Sequence, residues 1–213
     1  MVSSESVPRR PVKERLRDVR ARYILEVAQE LLVEKGYRDA SMDEIAARVG
    51  IAKGTLYQHF PHKEDLVLAL LDQHVERFAQ TVDAAASSSL PARARLEQIL
   101  RYVYDDRDGA YTMMQLLTRN VEIWKSLAAR KDEALGRMER TTGQVRQILD
   151  DGKADGSFDP AVPTTLMLRA FMHALTLGRP EPGSGLEDLP QADLAAHVAR
   201  VFFEGIRGRA TGG

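Results

Sequence analysis

A chain of 213 residues, 44% of them hydrophobic, has enough apolar material for one large domain or for a small domain followed by a larger one. Its 30 lysines and arginines against 31 aspartates and glutamates leave a net charge of −1, which excludes a general polycation, and the absence of cysteine excludes disulfides, thiolate metal sites and cysteine nucleophiles. The amino terminus lacks an apolar segment of signal-peptide type, and the longest aliphatic run, Leu66 to Leu71, is too short for a bilayer, so the expectation is a cytoplasmic protein without a membrane partner.

Residues 1–15 are polar and interrupted by Pro8 and Pro11, which predicts a disordered arm. From Arg9 to Arg22 seven basic residues, Arg17 and Arg22 among them, face only Glu14 and Asp18, a local excess suited to backbone phosphates or a minor groove. A helix follows with Ile24, Val27, Ala28, Leu31 and Leu32 as its buried stripe, and Gly36 ends it after Lys35. Ser41 and Glu44 have the spacing of a capping box, after which Met42, Ile45, Ala46 and Val49 recur at helical period. Gly50 sits where a left-handed residue closes a helix, and Ile51 beside it is an apolar plug between two crossing helices. A second short helix, Ala52 to His59, buries Leu56 and leads into Phe60. Its other faces carry Lys53, Gly54, Thr55, Tyr57, Gln58 and His59. A cation, hydroxyls, an amide and an imidazole around a glycine put donors and acceptors where backbone can come close to a nucleic-acid groove. Residues 16–66 therefore read as a three-helix, helix-turn-helix DNA-binding domain.

The stretch VGIAKGTLYQHFPHKEDL resembles the DNA-binding signature of the tetracycline-repressor (TetR) family of bacterial transcription regulators, a likeness that covers the first third of the chain closely. The resemblance implies that Tyr57, His59 and Lys63 grip phosphates, that Ser41 donates to a phosphate from a helix start, and that Lys53 and Thr55 lie near base edges. The sequence departs from the pattern in two places: Ala52 stands where a serine commonly caps the recognition helix, and His62 where a serine usually caps the next one.

A longer helix begins near Lys63 and runs through Leu66, Leu70, His74, Phe78 and Val82 toward the small residues at 84–89. The resemblance implies that a shift of this connecting helix can move the recognition helix. Residues 67–213 read as a larger helical domain for effector binding and dimerisation, giving an all-α chain of about nine helices. Its expected helices cover 92–106, a segment from Ala110 to Trp124, Lys125 to Asp151, 162–178 and 191–207. GKADGSFD at 152–159 is expected to be a turn, and the proline- and glycine-rich 179–190 a loop. The segment 162–178 is apolar around its whole cylinder except for Arg169 and His173, which predicts burial on more than one side. Ala170, Ala174 and Gly178 form a narrow ridge there, and Leu194, Val198, Val201 and Phe202 share a side of the last helix. Together they predict a homodimer through a four-helix bundle, which also sets two recognition helices on successive major grooves of a pseudo-palindromic operator.

In the resembled family the second domain holds a pocket whose occupant weakens DNA binding. Candidate lining residues here are Tyr102, Met113, Met114 and Leu117, with Trp124, Met138, Met167 and Phe171, an apolar and adaptable set that favours a small lipophilic effector such as an antibiotic or dye, as in a multidrug response. Two other readings compete. An architectural DNA-binding protein would lack the cavity, and a helical enzyme would need His173 with Arg169 as an acid–base pair, although no second histidine, carboxylate pair or phosphate loop is suitably spaced and His173 reads as a core residue. No cofactor and no metal is expected, since His59 and His62 straddle Phe60-Pro61 rather than sharing a face. The expectation is a repressor that leaves its operator when a small molecule binds.

Overall fold

A computed structural model describes residues 11–105, 131–175 and 189–207. Eight α-helices lie among them: α1 (Val12–Asp39), α2 (Met42–Val49), α3 (Lys53–His59), α4 (Lys63–Ala86), α5 (Ala92–Tyr104), α6 (Lys131–Ala154), α7 (Thr164–Ala174) and α8 (Gln191–Gly205). The fold is all-α, with a single antiparallel bridge between Phe158 and Arg207 among the described residues. The helix expected from Ala110 to Trp124, with Met113, Met114, Leu117 and Trp124, lies outside the described residues, as does Gly178. Contacts divide the chain into two units, Met1–Leu70 and Leu71–Gly213, and α4 runs unbroken across the division.

In the first unit, α1 buries Ile24, Val27, Ala28, Leu31 and Leu32, the five residues its periodicity puts on one stripe. Gly36, at φ 79°, interrupts the helix after Lys35, and only one further turn follows to Asp39. The start differs from expectation, because residues 12–15 are helical rather than disordered. The reason is Pro11, which needs no amide partner at a helix start and whose carbonyl accepts the amides of Glu14 and Arg15 at 3.1 and 3.2 Å.

Two devices fix α2. The Ser41 hydroxyl accepts the Glu44 amide at 3.2 Å and so closes the first turn. At the other end Gly50 adopts φ 76°, ψ 32°, its amide donates to Ala47 O, and the Ile51 amide reaches back to Ala46 O at 3.0 Å. That pair of bonds is a Schellman closure, and it reverses the chain into α3 within two residues. Ile45, Ala46 and Leu56 fill the space between the two short helices and α1.

The second unit packs α5, α6, α7 and α8 around one core. Leu96, Ile99 and Val103 of α5, Val145, Ile148 and Leu149 of α6, Met167 and Phe171 of α7, and Phe202 and Phe203 of α8 meet there with Val82 from the end of α4. Two polar links cross this core. The Arg95 guanidinium on α5 holds Asp151 of α6 at 2.7 Å, and the Tyr104 hydroxyl donates to Ala174 O at 2.6 Å, tying α5 to the end of α7. Gln147 and Arg95 both donate to the Asp151 carboxylate and hold its pKa below the usual value.

Two expectations fail here. Residues 152–154 are not turn but the last turn of α6, and the reversal comes at Gly156, φ 80°. Gly152 is a glycine because the Phe158 ring folds back onto it and the Phe158 amide donates to Gly152 O at 2.8 Å. Nor is α7 enclosed on all sides: Met167, Leu168, Phe171 and Ala174 are buried, whereas Leu166, Arg169, Ala170 and His173 face outward. A composition that is apolar all round thus covers one core face and one open face.

A Cβ at Gly152 would overlap the Phe158 ring and touch Ala92. Gly152→Ala should therefore cost about 1–3 kcal/mol of stability through overpacking, despite the better helix propensity of alanine; chemical denaturation monitored at the Trp124 emission, compared with Gly143→Ala as an open-space control, is the measurement.

Candidate nucleic-acid interface

The recognition surface begins with how α3 is held. Ala52 stands at its N-cap without a side-chain hydrogen bond, as its lack of a hydroxyl requires, and the Ala52 carbonyl accepts the Thr55 and Leu56 amides at 2.9 and 3.3 Å. Leu56 is the one fully buried residue of the helix, and Phe60 closes behind it. Lys53, Gly54, Tyr57 and Gln58 are exposed, and Thr55 and His59 are half-buried. All six side chains or backbone positions singled out in this helix thus lie away from the Leu56 seam. Ser41, at the start of α2, is exposed as well.

Gly54 is informative because nothing in the chain demands it. A Cβ there would meet no atom within 4 Å, and its φ is not in the left-handed region. In a helix interior glycine costs roughly 1 kcal/mol relative to alanine, so its use here fits an external surface that must come close to the backbone.

α1 contributes to the same region. Partial burial lowers the His59 pKa, and the charges of Arg17 and Arg20 lower it further, so these two α1 arginines lie within electrostatic reach of the end of α3. The imidazole is held toward its neutral form. Arg22 is exposed on α1. Arg15, expected on the disordered arm, is therefore on a helix, and Arg17 and Arg20 lie within electrostatic reach of His59.

Several cations expected to be available have partners within the chain. Lys53 forms an ion pair with Asp43 of α2. Lys63, at the start of α4, donates to the carbonyl of Tyr37 and lies 4.4 Å from the centre of the Tyr37 ring, and burial pushes its ammonium pKa down. The Tyr37 hydroxyl in turn donates to Glu64 at 2.9 Å. Burial first, then that carboxylate, pushes the phenol pKa up to about 12. The capping box at Ser41 is only half formed, because the Glu44 carboxylate pairs with Lys35 at 2.6 Å instead of returning to the Ser41 amide. At the start of α4 the missing serine is replaced from within: Asp65 reaches back to accept the His62 amide at 3.2 Å, so the imidazole is not the cap. Pairs separated by 9, 10 and 26 positions leave no periodic trace in a sequence, which is why the lysines read as free.

The second unit carries two further sets of expected residues. Of the described pocket candidates, Met167 and Phe171 are packed in the core, the Phe171 ring 5.3 Å from that of Phe202, Tyr102 lies at the core edge, and Met138 is exposed. The described residues therefore do not bring that lining together. The interface candidates do converge. Ala170, Ala174, Leu194, Val198, Val201 and Phe202 all line one open, apolar trough of about 810 Å³ between α7 and α8. Leu166 and Val201 at its rim are 59% and 75% exposed. Arg169 and His173 are exposed on α7, so His173 is not the core residue expected of it, and neither sits in a water-excluding site of the kind acid–base chemistry needs.

Comparison with known proteins agrees with this geometry. The family described as "Bacterial regulatory proteins, tetR family" matches residues 24–70. The chain is 40% identical over 89 residues to the HTH-type transcriptional activator FasR of Mycolicibacterium smegmatis, a match that spans 42% of this chain and 41% of FasR. It is 27% identical over 150 residues, 68% of this chain and 71% of the relative, to the HTH-type transcriptional repressor KstR2 of Rhodococcus jostii. Among solved structures, the ketosteroid transcriptional regulator KstR2 of Mycobacterium tuberculosis superposes with a TM-score of 0.70 at 20% identity, covering 89% of this chain and 96% of that one. AibR in complex with isovaleryl coenzyme A and operator DNA gives 0.64 at 22% identity, covering 86% and 98%. At these identities the structural likenesses establish the fold.

The Tyr37 cluster carries a testable pH signature. A phenol whose folded pKa is about 12, against 10.0 when unperturbed, contributes stability that is complete below pH 10 and is lost as pH rises through 12. Tyr37→Phe should remove an ultraviolet ionisation step near pH 12 and flatten the alkaline loss of stability of the first unit.

Proposed function

We propose that this chain, whose residues 24–70 match the family described as bacterial regulatory proteins of the tetR family, is a homodimeric transcriptional repressor that occupies a pseudo-palindromic operator and is released by a lipid-derived effector. The observation that carries the DNA half of this reading is the exposure of Lys53, Gly54, Tyr57 and Gln58 on a helix anchored by one buried leucine and closed at both ends. In this reading Lys53 and Thr55 approach base edges, Gln58 supports them, and Tyr57, His59 and Ser41 hold phosphates with Arg17 and Arg22 of α1. Lys63 reaches a phosphate by leaving the Tyr37 carbonyl.

The dimer reading is supported by the trough between α7 and α8, where six apolar interface candidates meet and two large side chains stand open to solvent. A second copy laying its own α7 and α8 there completes a four-helix bundle. Dimerisation supplies two α3 helices, and successive major grooves roughly 34–36 Å apart give the affinity that a lone seven-residue helix lacks. Repression is favoured over activation by the length of the matches: the repressor is similar over 150 residues, the activator over 89.

For the effector, the named neighbours shift the reading from an antibiotic or dye toward acyl thioesters and ketosteroids. One structural neighbour was solved with isovaleryl coenzyme A, another, FadR of Bacillus subtilis, with stearoyl-CoA, and a third is a ketosteroid regulator. The signal to DNA would pass along α4, the element common to both units.

Three measurements test the proposal. Gly54→Ala should raise the thermal stability of the free protein, by up to about 1 kcal/mol from helix propensity, while weakening binding to a duplex selected by the purified protein; unchanged DNA affinity would refute the close backbone approach. Arg17→Ala should lower the slope of log affinity against log salt by roughly 0.9 on every sequence. For the effector, stearoyl-CoA and isovaleryl-CoA should each be titrated into the protein–DNA complex: release at micromolar concentration, with a raised melting temperature of the free protein, supports the thioester class, and indifference to both rejects it.

A further inference from the structure

The first three turns of α1 do no packing work in the domain. Between Val12 and Tyr23 no described residue is buried, and the core begins at Ile24. Yet Val12, Leu16, Val19 and Tyr23 are apolar and 62, 64, 54 and 51% exposed. Single exposed apolar residues are ordinary; these four are spaced four, three and four apart, which draws one stripe down one side of the helix. A helix this short is marginal in water on its own, so a stripe of this kind has a stabilising purpose only when something covers it.

The charges around the stripe say what. With Leu16 and Tyr23 at a positions and Val12 and Val19 at d, Arg15 and Arg22 fall at g and Arg20 at e, the positions that face a partner's flanks across a coiled-coil seam. The two acids of the segment, Glu14 and Asp18, fall at f and c on the outside. A second copy of the same stripe would bring arginine against arginine. An acidic helix would bring carboxylates against them, and α1 is already ordered by the buried half that follows it, which lowers the entropy lost on docking.

The geometry points to a docking surface on residues 12–23 of α1 for an amphipathic helix of another protein, apolar at its a and d positions and carrying glutamate or aspartate at e and g. This surface is distinct from the α7–α8 trough and from α3. Arg20, which lies within electrostatic reach of His59, and Arg22, assigned above to a phosphate, belong to both the seam and the proposed DNA-binding set.

A fluorescent synthetic peptide of three heptads, leucine at a and d and glutamate at e and g, tests this against the full-length protein by anisotropy. Saturable binding that weakens with salt is expected. Leu16→Ser, an exposed position whose replacement leaves the melting temperature unchanged, should weaken it tenfold or more. Arg15→Glu with Arg22→Glu should abolish binding of the glutamate peptide and create binding of a matched peptide with lysine at e and g, an exchange that a loss of folding cannot produce. The assignment is overturned if the glutamate peptide does not bind, if both peptides bind the unaltered protein equally, or if Leu16→Ser has no effect. Leu16-dependent self-association in sedimentation, or Leu16-dependent binding to phosphatidylglycerol vesicles without peptide binding, would also overturn it and assign the stripe to a second copy or to a lipid surface.

Discussion

Everything distinctive about the first unit depends on two backbone bonds at the end of α2. Gly50 takes a left-handed conformation that a side chain resists by about 1 kcal/mol or more, and this lets the amides of Gly50 and Ile51 turn back onto Ala47 and Ala46. The chain leaves α2 at a fixed angle, and α3 starts two residues later on the outside of the domain. Without that reversal Leu56 would not reach the pocket made by Ile45, Ala46 and α1, and the exposed face of α3 would have no fixed orientation. A seven-residue helix has too few internal hydrogen bonds to persist by propensity, so its geometry is borrowed from the closure before it and the leucine beneath it.

The same logic explains which parts of the molecule could be read from the order of residues. Local devices were legible: Ser41 before a helical stripe, Gly50 after it, Gly36 ending α1, the uncapped start at Ala52. Each acts within four residues, and each is where it was expected. The convergence of Ala170, Leu194, Val198 and Val201 was legible too, because apolar surface beyond the needs of one core is visible in composition. What stayed hidden is pairwise and non-local. Nothing in the neighbourhood of Lys63 announces that Tyr37, 26 positions earlier, offers it both a carbonyl and a ring face. Likewise, Gly152 resembles a turn glycine until Phe158 is seen to lie against it. The start of α1 was missed for the opposite reason: proline was read as an interruption, when at the head of a helix it is compatible with one.

Function sets the two units different physical tasks. The first presents a small, charged surface in which Lys35, Arg48, Lys53 and Lys63 each have a partner within the chain. The second keeps a well-filled core of phenylalanine, leucine and isoleucine and leaves an uncovered apolar area between α7 and α8. Arg95 and Tyr104 show how that core tolerates polarity: the Arg95 Nη2 reaches Asp151 on α6 and the Tyr104 hydroxyl reaches Ala174 O on α7, so these contacts hold helices in register.

The ion pair between Lys53 and Asp43 has a consequence for selectivity. An exposed pair of this kind contributes at most about 1 kcal/mol, so a good acceptor on a base edge can redirect the ammonium. The carboxylate left behind then faces a polyanion unshielded. A poorly matched sequence offers nothing to offset that repulsion, and the lysine stays home. If Lys53 reads a base edge as proposed, Asp43 is an intramolecular rival that a duplex must outcompete, one that would discriminate without touching a base.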